Sequence, residues 1–230
     1  MSLFPVFAPP ALPIADHPGV FYPVRRIYCV GRNYADHARE MGADVREKPF
    51  FFCKPADAIV PAHGQKLTLG FPSATRDLHY EAELVVAIGK PGADIALESA
   101  GRHIAGYAVG LDMTRRDLQT QLKATGKPWE VAKSFDESAP IGALRLADEV
   151  YRSGMLQLWQ NGELKQSACV SKMIWAVDEV IAELSSYFSL GVGDLIFTGT
   201  PAGVGAVQPG DQVRVELERI GGLELVYKAR

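Results

Sequence analysis

The sequence predicts an α+β fold that is predominantly β. Short apolar runs of strand-like composition recur from Arg25 to the end of the 230-residue chain. Only one long stretch repeats apolar residues at helical spacing. Strands and helices do not alternate regularly, which argues against a doubly wound sheet.

Taken in order, residues 1–24 are Pro-rich and aperiodic, and read as an extended arm on a partner or on the body that follows. Arg26 to Val30, Phe50 to Lys54, Glu81 to Gly89, Ile104 to Asp112, Met155 to Asn161, Asp194 to Thr198, Val213 to Leu217 and Leu223 to Tyr227 read as strands. Asn161-Gly162 predicts a hairpin, because both residues tolerate the positive φ of a two-residue turn. Gly221-Gly222 is a weaker turn signal. Ile174, Val177, Ile181, Leu184 and Phe188 predict a helix from Ser171 to Leu190, capped by Ser171 and ended by Gly191. Two shorter helices are expected. One covers Ala35 to Met41; the other starts near Thr114, whose spacing to Asp117 resembles a capping box, and ends at Thr125-Gly126.

Composition narrows the function classes. Hydrophobic residues make up 47% and charged residues 22%, which is ordinary for a packed globular chain. The length makes one domain, residues 25–230, the default. A net charge of -3 argues against nucleic acid as a partner, since phosphate binding needs a basic surface. No apolar run approaches the roughly 18–20 residues of a membrane helix. The leading residues are broken by prolines and carry no basic segment, so no signal peptide is expected. Cys29, Cys53 and Cys169 are too few and scattered for a disulfide framework or zinc site, and fit a reducing cytoplasm.

Several residues could carry chemistry. Glu81 and Glu83 are two apart at the mouth of an apolar strand, and so share a face. Two such carboxylates repel unless a cation or proton neutralises them; the alternative is an edge strand with a charged outer face. Asp112 ends another apolar run, as a possible third ligand or as a helix cap. Three carboxylates without a thiolate suit Mg²⁺, Mn²⁺ or Ca²⁺ better than zinc. Arg116 and Gln119 share a helix face, where the arginine could simply salt-bridge Asp112. His37 and Glu40 are three apart, fitting either a base oriented by a carboxylate or a solvated helix face. Lys54 and Lys133 could each snorkel from a core edge. Residues 194–205, DLIFTGTPAGVG, form a strand running into a small-residue loop whose N–H groups could meet an anion. The loop is neither a P-loop nor a Rossmann fingerprint, and no serine-hydrolase elbow occurs.

Six stretches in order, VGRNYADHAREMG, FFFCKPADAIV, LHYEAELVVAIGK, GYAVGLDMTRRDLQ, AKSFDESAPIG and GDLIFTGTPAGVGAVQPGD, span nearly everything after residue 25. Together they resemble the fumarylacetoacetate hydrolase superfamily, and within it the small bacterial fumarylpyruvate and acylpyruvate hydrolases of gentisate breakdown. The resemblance implies a mixed β-sandwich roll with short helices, usually homodimeric, holding one Mg²⁺ or Mn²⁺ per chain. It implies metal ligation by Glu81, Glu83 and Asp112, water activation by His37 with Glu40 on a lid, and Lys133 beside the metal. It places Arg116, Gln119 and Thr200 around a small 2-oxo or diketo acid. Where longer members carry a fourth carboxylate ligand, this chain has Arg32-Asn33. The implied reaction is hydrolysis of an acylpyruvate C–C bond, with fumarylpyruvate giving fumarate and pyruvate. Oxaloacetate decarboxylation and keto–enol tautomerisation use the same kind of site and stay open. For the substrate's far carboxylate, Arg32, Lys54, Arg39 and Arg46 are the candidate cations.

Overall fold

The structure is a computed structural model that describes residues 8–35 and 47–229. Two curled sheets pack face to face. In the eight-stranded sheet the order is β4 (Phe50–Lys54), β3 (Arg26–Gly31), β15 (Asp194–Phe197), β8 (Ala82–Ile88), β9 (Ile104–Leu111), β11 (Ala139–Ile141) and β5 (Ile59–Pro61), with β12 (Arg145–Leu146) pairing β9. The five-stranded sheet runs β14 (Glu163–Cys169), β13 (Met155–Gln160), β17 (Gln212–Leu217), β18 (Gly221–Lys228) and β6 (Leu67–Gly70). A three-stranded ribbon joins β10 (Thr114–Arg115), β7 (Leu78–Tyr80) and β16 (Gly205–Val207). Parallel and antiparallel neighbours mix, as at β3–β15 and β15–β8.

The eight-stranded sheet is covered on both faces. Leu84, Val86 and Ile88 of β8 join Leu156, Leu158, Val213 and Val215 of the five-stranded sheet in one core. Val85 and Ala87 point the other way, into a second core with Ile27, Cys29, Leu195 and Phe197. Burial on both faces explains why β8 reads as a continuous apolar run.

The eight predicted strands form, with ends matching to within two residues. The Asn161-Gly162 turn has φ of 53° and 83° and joins β13 to β14. At the second predicted turn the chain reverses at residues 218–220, and Gly221 already belongs to β18. The Pro-rich arm packs on the body: β1 (Ala11–Pro13) and β2 (Phe21–Pro23) form a hairpin whose Leu12 and Tyr22 enter the second core. The Tyr22 hydroxyl donates to Ile88 O at 2.8 Å.

Two helix expectations need correction. The long helix, here α3 (Val177–Tyr187), starts six residues later than predicted. Asn33 is the reason. Its side chain bonds the Trp175 N–H at 2.7 Å and carbonyl at 2.9 Å, and its own carbonyl accepts from Ile174 N, so residues 174–175 stay in a loop. Ser171 therefore caps nothing in α3; instead the Ala176 N–H donates to Glu179. The helix α1 (Arg116–Ala124) lacks the predicted capping box. Thr114 donates to Asp112 O, and Asp117 accepts from Thr75. A third helix, α2 (Glu130–Lys133), is one turn long. The helix expected over Ala35 to Met41 lies, beyond Ala35, outside the described residues. Among the described residues no helix is long and apolar enough to cross a membrane.

A candidate metal and 2-oxo acid site

The site forms where β8 and β9 begin to part from the ribbon. Ala82 pairs Leu111, and the Asp112 N–H bonds Glu81 O at 2.9 Å, so this register sets Glu81 opposite Asp112. Glu83 follows on β8 in the alternating set of Val85 and Ala87. The three carboxylates are buried, and one oxygen from each lies within 4.8 Å of the others.

Each carboxylate has different company. Glu81 meets two cations: Lys133 Nζ at 2.8 Å from Oε2, and Arg116, which bonds Oε1. Asp112 also meets two, Lys133 Nζ at 2.8 Å from Oδ2 and Lys54 Nζ at 2.8 Å from Oδ1. The Lys54 contact is a charge contact out of line, and Oδ1 accepts no hydrogen bond among the described residues. Glu83 has no Lys or Arg within ion-pair distance among the described residues; the Gly199 N–H donates to its Oε2 at 2.7 Å. Burial, then the charges of Asp112 and Glu81, push the Glu83 pKa well up. Burial pulls Lys133 down, but Asp112 and Glu81 more than offset it, so its pKa is raised and it stays an ammonium ion.

An all-oxygen donor set and a Glu83 with no cation within ion-pair distance among the described residues fit a hard divalent ion. The small-residue loop turns one N–H, that of Gly199, onto the Glu83 carboxyl group. Gly199 is required there. Its φ is 96°, and a Cβ would lie 2.7 Å from Asn33 Cβ.

A pocket opens over the carboxylates. Arg32, Arg116, Gln119, Lys133 and Thr200, all expected around substrate or metal, line it. The Arg116 guanidinium also donates to Gln119 Oε1, which locks the pair on one face of α1. Arg32 stacks over Phe50 with its guanidinium carbon 5.2 Å from the ring centroid. Gly31 makes room, since a Cβ there would lie 2.0 Å from Phe50 Cζ. His37, Glu40, Arg39 and Arg46 lie outside the described residues.

Lys54 needs correction as a far-end cation. It is buried behind the carboxylates, donates to the Lys133 carbonyl and pairs with Asp112. Neither Lys54 nor Lys133 snorkels; both are buried. Sequence reasoning missed Lys123 and the aromatic wall of Phe50, Phe52 and Trp129, which line the pocket. Lys123 had a signal: it is four residues after Gln119 and seven after Arg116, on the same helix face. Trp129 had none.

Residues 26–226 match the family model of the fumarylacetoacetate (FAA) hydrolase C-terminal region. The chain belongs to the fumarylacetoacetate hydrolase family. The crystal structure of a fumarylpyruvate hydrolase from Pseudomonas aeruginosa in complex with Mn²⁺ and pyruvate superposes with a TM-score of 0.97, at 51% identity over 100% of both chains. A fumarylpyruvate hydrolase of a Ralstonia species is 43% identical over 180 residues, 78% of this chain and 92% of its own. A mitochondrial oxaloacetate tautomerase of Homo sapiens is 42% identical over 206 residues, 89% of this chain and 91% of its own.

Proposed function

We propose that this protein is a Mg²⁺- or Mn²⁺-dependent hydrolase that cleaves the C–C bond of an acylpyruvate, with fumarylpyruvate preferred. The carrying observation is the charge balance of the pocket. Three buried carboxylates, Glu81, Glu83 and Asp112, face three cations, Lys54, Lys133 and Arg116. A divalent ion on the carboxylates then leaves two positive charges, matching the carboxylate and enolate oxygens of a pyruvate dianion. Arg32 and Lys123 on the outer wall supply further positive charge for a second carboxylate at the far end of the acyl group. The Mn²⁺ and pyruvate named with the P. aeruginosa structure support the same reading.

When bound, the ion would supply Lewis acidity to the 2-oxo and enolate oxygens, because an unstabilised carbanion is too basic to leave. Arg116 and Gln119, locked to each other, would orient the pyruvyl end. Lys133 and backbone N–H groups near Thr200 would donate to the oxyanion formed as water adds to the distal carbonyl. His37, oriented by Glu40, would take the proton from that water; this role comes from the family resemblance. The C–C bond then breaks, and the pyruvate enolate takes up a proton. The resemblance adds a homodimer, and the cysteine pattern adds a cytoplasmic setting.

The test is a panel of acylpyruvates and oxaloacetate with Mg²⁺ and Mn²⁺, following products. Fumarylpyruvate should exceed acetylpyruvate by about ten- to a hundredfold in kcat/KM, the scale of one charge-assisted contact. The His37→Ala protein should lose at least about a hundredfold in hydrolysis while still binding metal. Preference for acetylpyruvate would overturn the substrate assignment. A second reading, oxaloacetate tautomerisation, is favoured by the human relative. It predicts keto–enol exchange without any acylpyruvate cleavage, and decarboxylation would instead release carbon dioxide.

A further inference from the structure

Gln166 is the one buried residue of β14, and its amide lies between the two sheets with every polar atom engaged. Its Oε1 accepts from the Ala82 N–H at 3.0 Å. Its Nε2 donates to Thr200 Oγ1 at 2.8 Å and to the Pro201 carbonyl at 2.8 Å. A backbone N–H can only donate and a carbonyl can only accept, so these partners fix which end of the amide is which.

The position has a structural logic. Strand β15 pairs β8 in antiparallel register, Phe197 with Val85, and Thr198 N bonds Leu84 O at 3.1 Å. Two residues further, the ladder would set Ala82 against Thr200. That step is absent, because the chain leaves β8 after Thr198. The Gln166 amide occupies the gap, bonding Ala82 on one side and Thr200 on the other. Ala82 lies between Glu81 and Glu83, and Gly199 beside Thr200 donates to Glu83. One buried amide therefore links the strand carrying two carboxylates to the loop that lines the pocket.

We propose that Gln166 is a positioning residue that sets the polarity of Thr200. Its amide N–H fills a lone pair of the Thr200 oxygen and offers that hydroxyl no acceptor, so the Thr200 proton is left to point into the pocket. Thr200 is thereby a donor to an anionic oxygen of the bound 2-oxo acid. This rests on the reading that a 2-oxo acid lies against Thr200.

The test is calorimetric binding of pyruvate to the Mn²⁺-loaded protein for wild type, Gln166→Glu, Thr200→Val and the double variant. A carboxylate at 166 still accepts from Ala82 but draws the Thr200 proton towards itself. Both single variants should lose about tenfold in pyruvate affinity, the scale of one hydrogen bond to a charged group. The double variant should lose no more than Thr200→Val alone, because both changes remove the same donor. A merely structural role predicts losses that multiply, and multiplied losses, or unchanged affinity in Gln166→Glu, would overturn the inference. If Gln166→Glu does not fold, Thr200→Ser decides: affinity kept with serine and lost with valine supports the donor role, and equal affinity in the two removes it. Pyruvate binding is read without turnover. An enzyme that binds pyruvate as expected yet cleaves no acylpyruvate would therefore contradict the proposed reaction and leave the Gln166 inference standing.

Discussion

The eight-stranded and five-stranded sheets differ in what their strands can carry. β8 reads AELVVAI and is buried at every position, whereas β17 reads QVRVEL and alternates exposed with buried. A sheet covered on both faces has no solvent side on which to park a charge, so each polar residue in it needs an internal partner. Asp194 and Glu83 show the two outcomes. Asp194 accepts from Arg26 Nη2 and from the Gly191 N–H, both at 2.8 Å, and ties the strand end down. Glu83 has a single N–H and no cation within ion-pair distance among the described residues, and its pKa rises. Asp194, held by its own arginine at a strand end, belongs to the scaffold. Glu83, short of a counter-charge beside two other carboxylates, marks the site.

The largest expected effect breaks this balance at its centre. Lys133→Met leaves Glu81 and Asp112 short of their shared ammonium ion, and should cost the metal-free protein roughly 3–5 kcal/mol, the scale for stripping one partner from a buried ion pair. Denaturant unfolding would measure it, and Mn²⁺ should restore part of the loss by binding only the native state. An unchanged midpoint would show that the cluster is not ionised as described. Next comes a pair of leucines. Leu84→Ala in the doubly covered sheet should cost about 2–5 kcal/mol, while Leu164→Ala, 47% exposed on β14, should stay within about 0.5 kcal/mol. Similar losses at both positions would erase the contrast between the sheets.

A smaller effect follows from Glu83. Its ordinary value is 4.5 and its native value is higher, so between the two the native state holds an extra proton. That contribution to stability is complete below about 4.5 and is lost as the pH rises through the native value. The metal-free protein should therefore soften over this window, and the Mn²⁺-loaded protein should not, because the ion replaces the proton. Thermal unfolding at a series of pH values, with and without Mn²⁺, would check it; softening of equal size in both forms would remove Glu83 from the ion's neighbourhood.

The sequence carried the strands best where burial on both faces enforces apolar runs, as in RIYCV and EAELVVAIG. Short pairings such as β5 with β11 gave no signal, because three residues hold no periodicity. The start of α3 was hidden because Asn33, far away in sequence, holds residues 174–175 out of the helix. The carboxylates were visible through their spacing and through family resemblance. Lys54 was misplaced because a lysine at a strand end looks the same whether it faces solvent or an aspartate. Gln166 looked like any other polar residue in β14, since its partners lie 84 and 34 residues away.

The most direct test of the central claim is a calorimetric titration of Mn²⁺ into wild-type and Glu83→Gln protein. The amide keeps the volume and removes the charge a hard cation needs. The wild-type chain should bind one Mn²⁺, and the folded variant should bind it at least about a hundredfold more weakly. Equal Mn²⁺ affinity in the two proteins would contradict the assignment of the buried triad as a metal site.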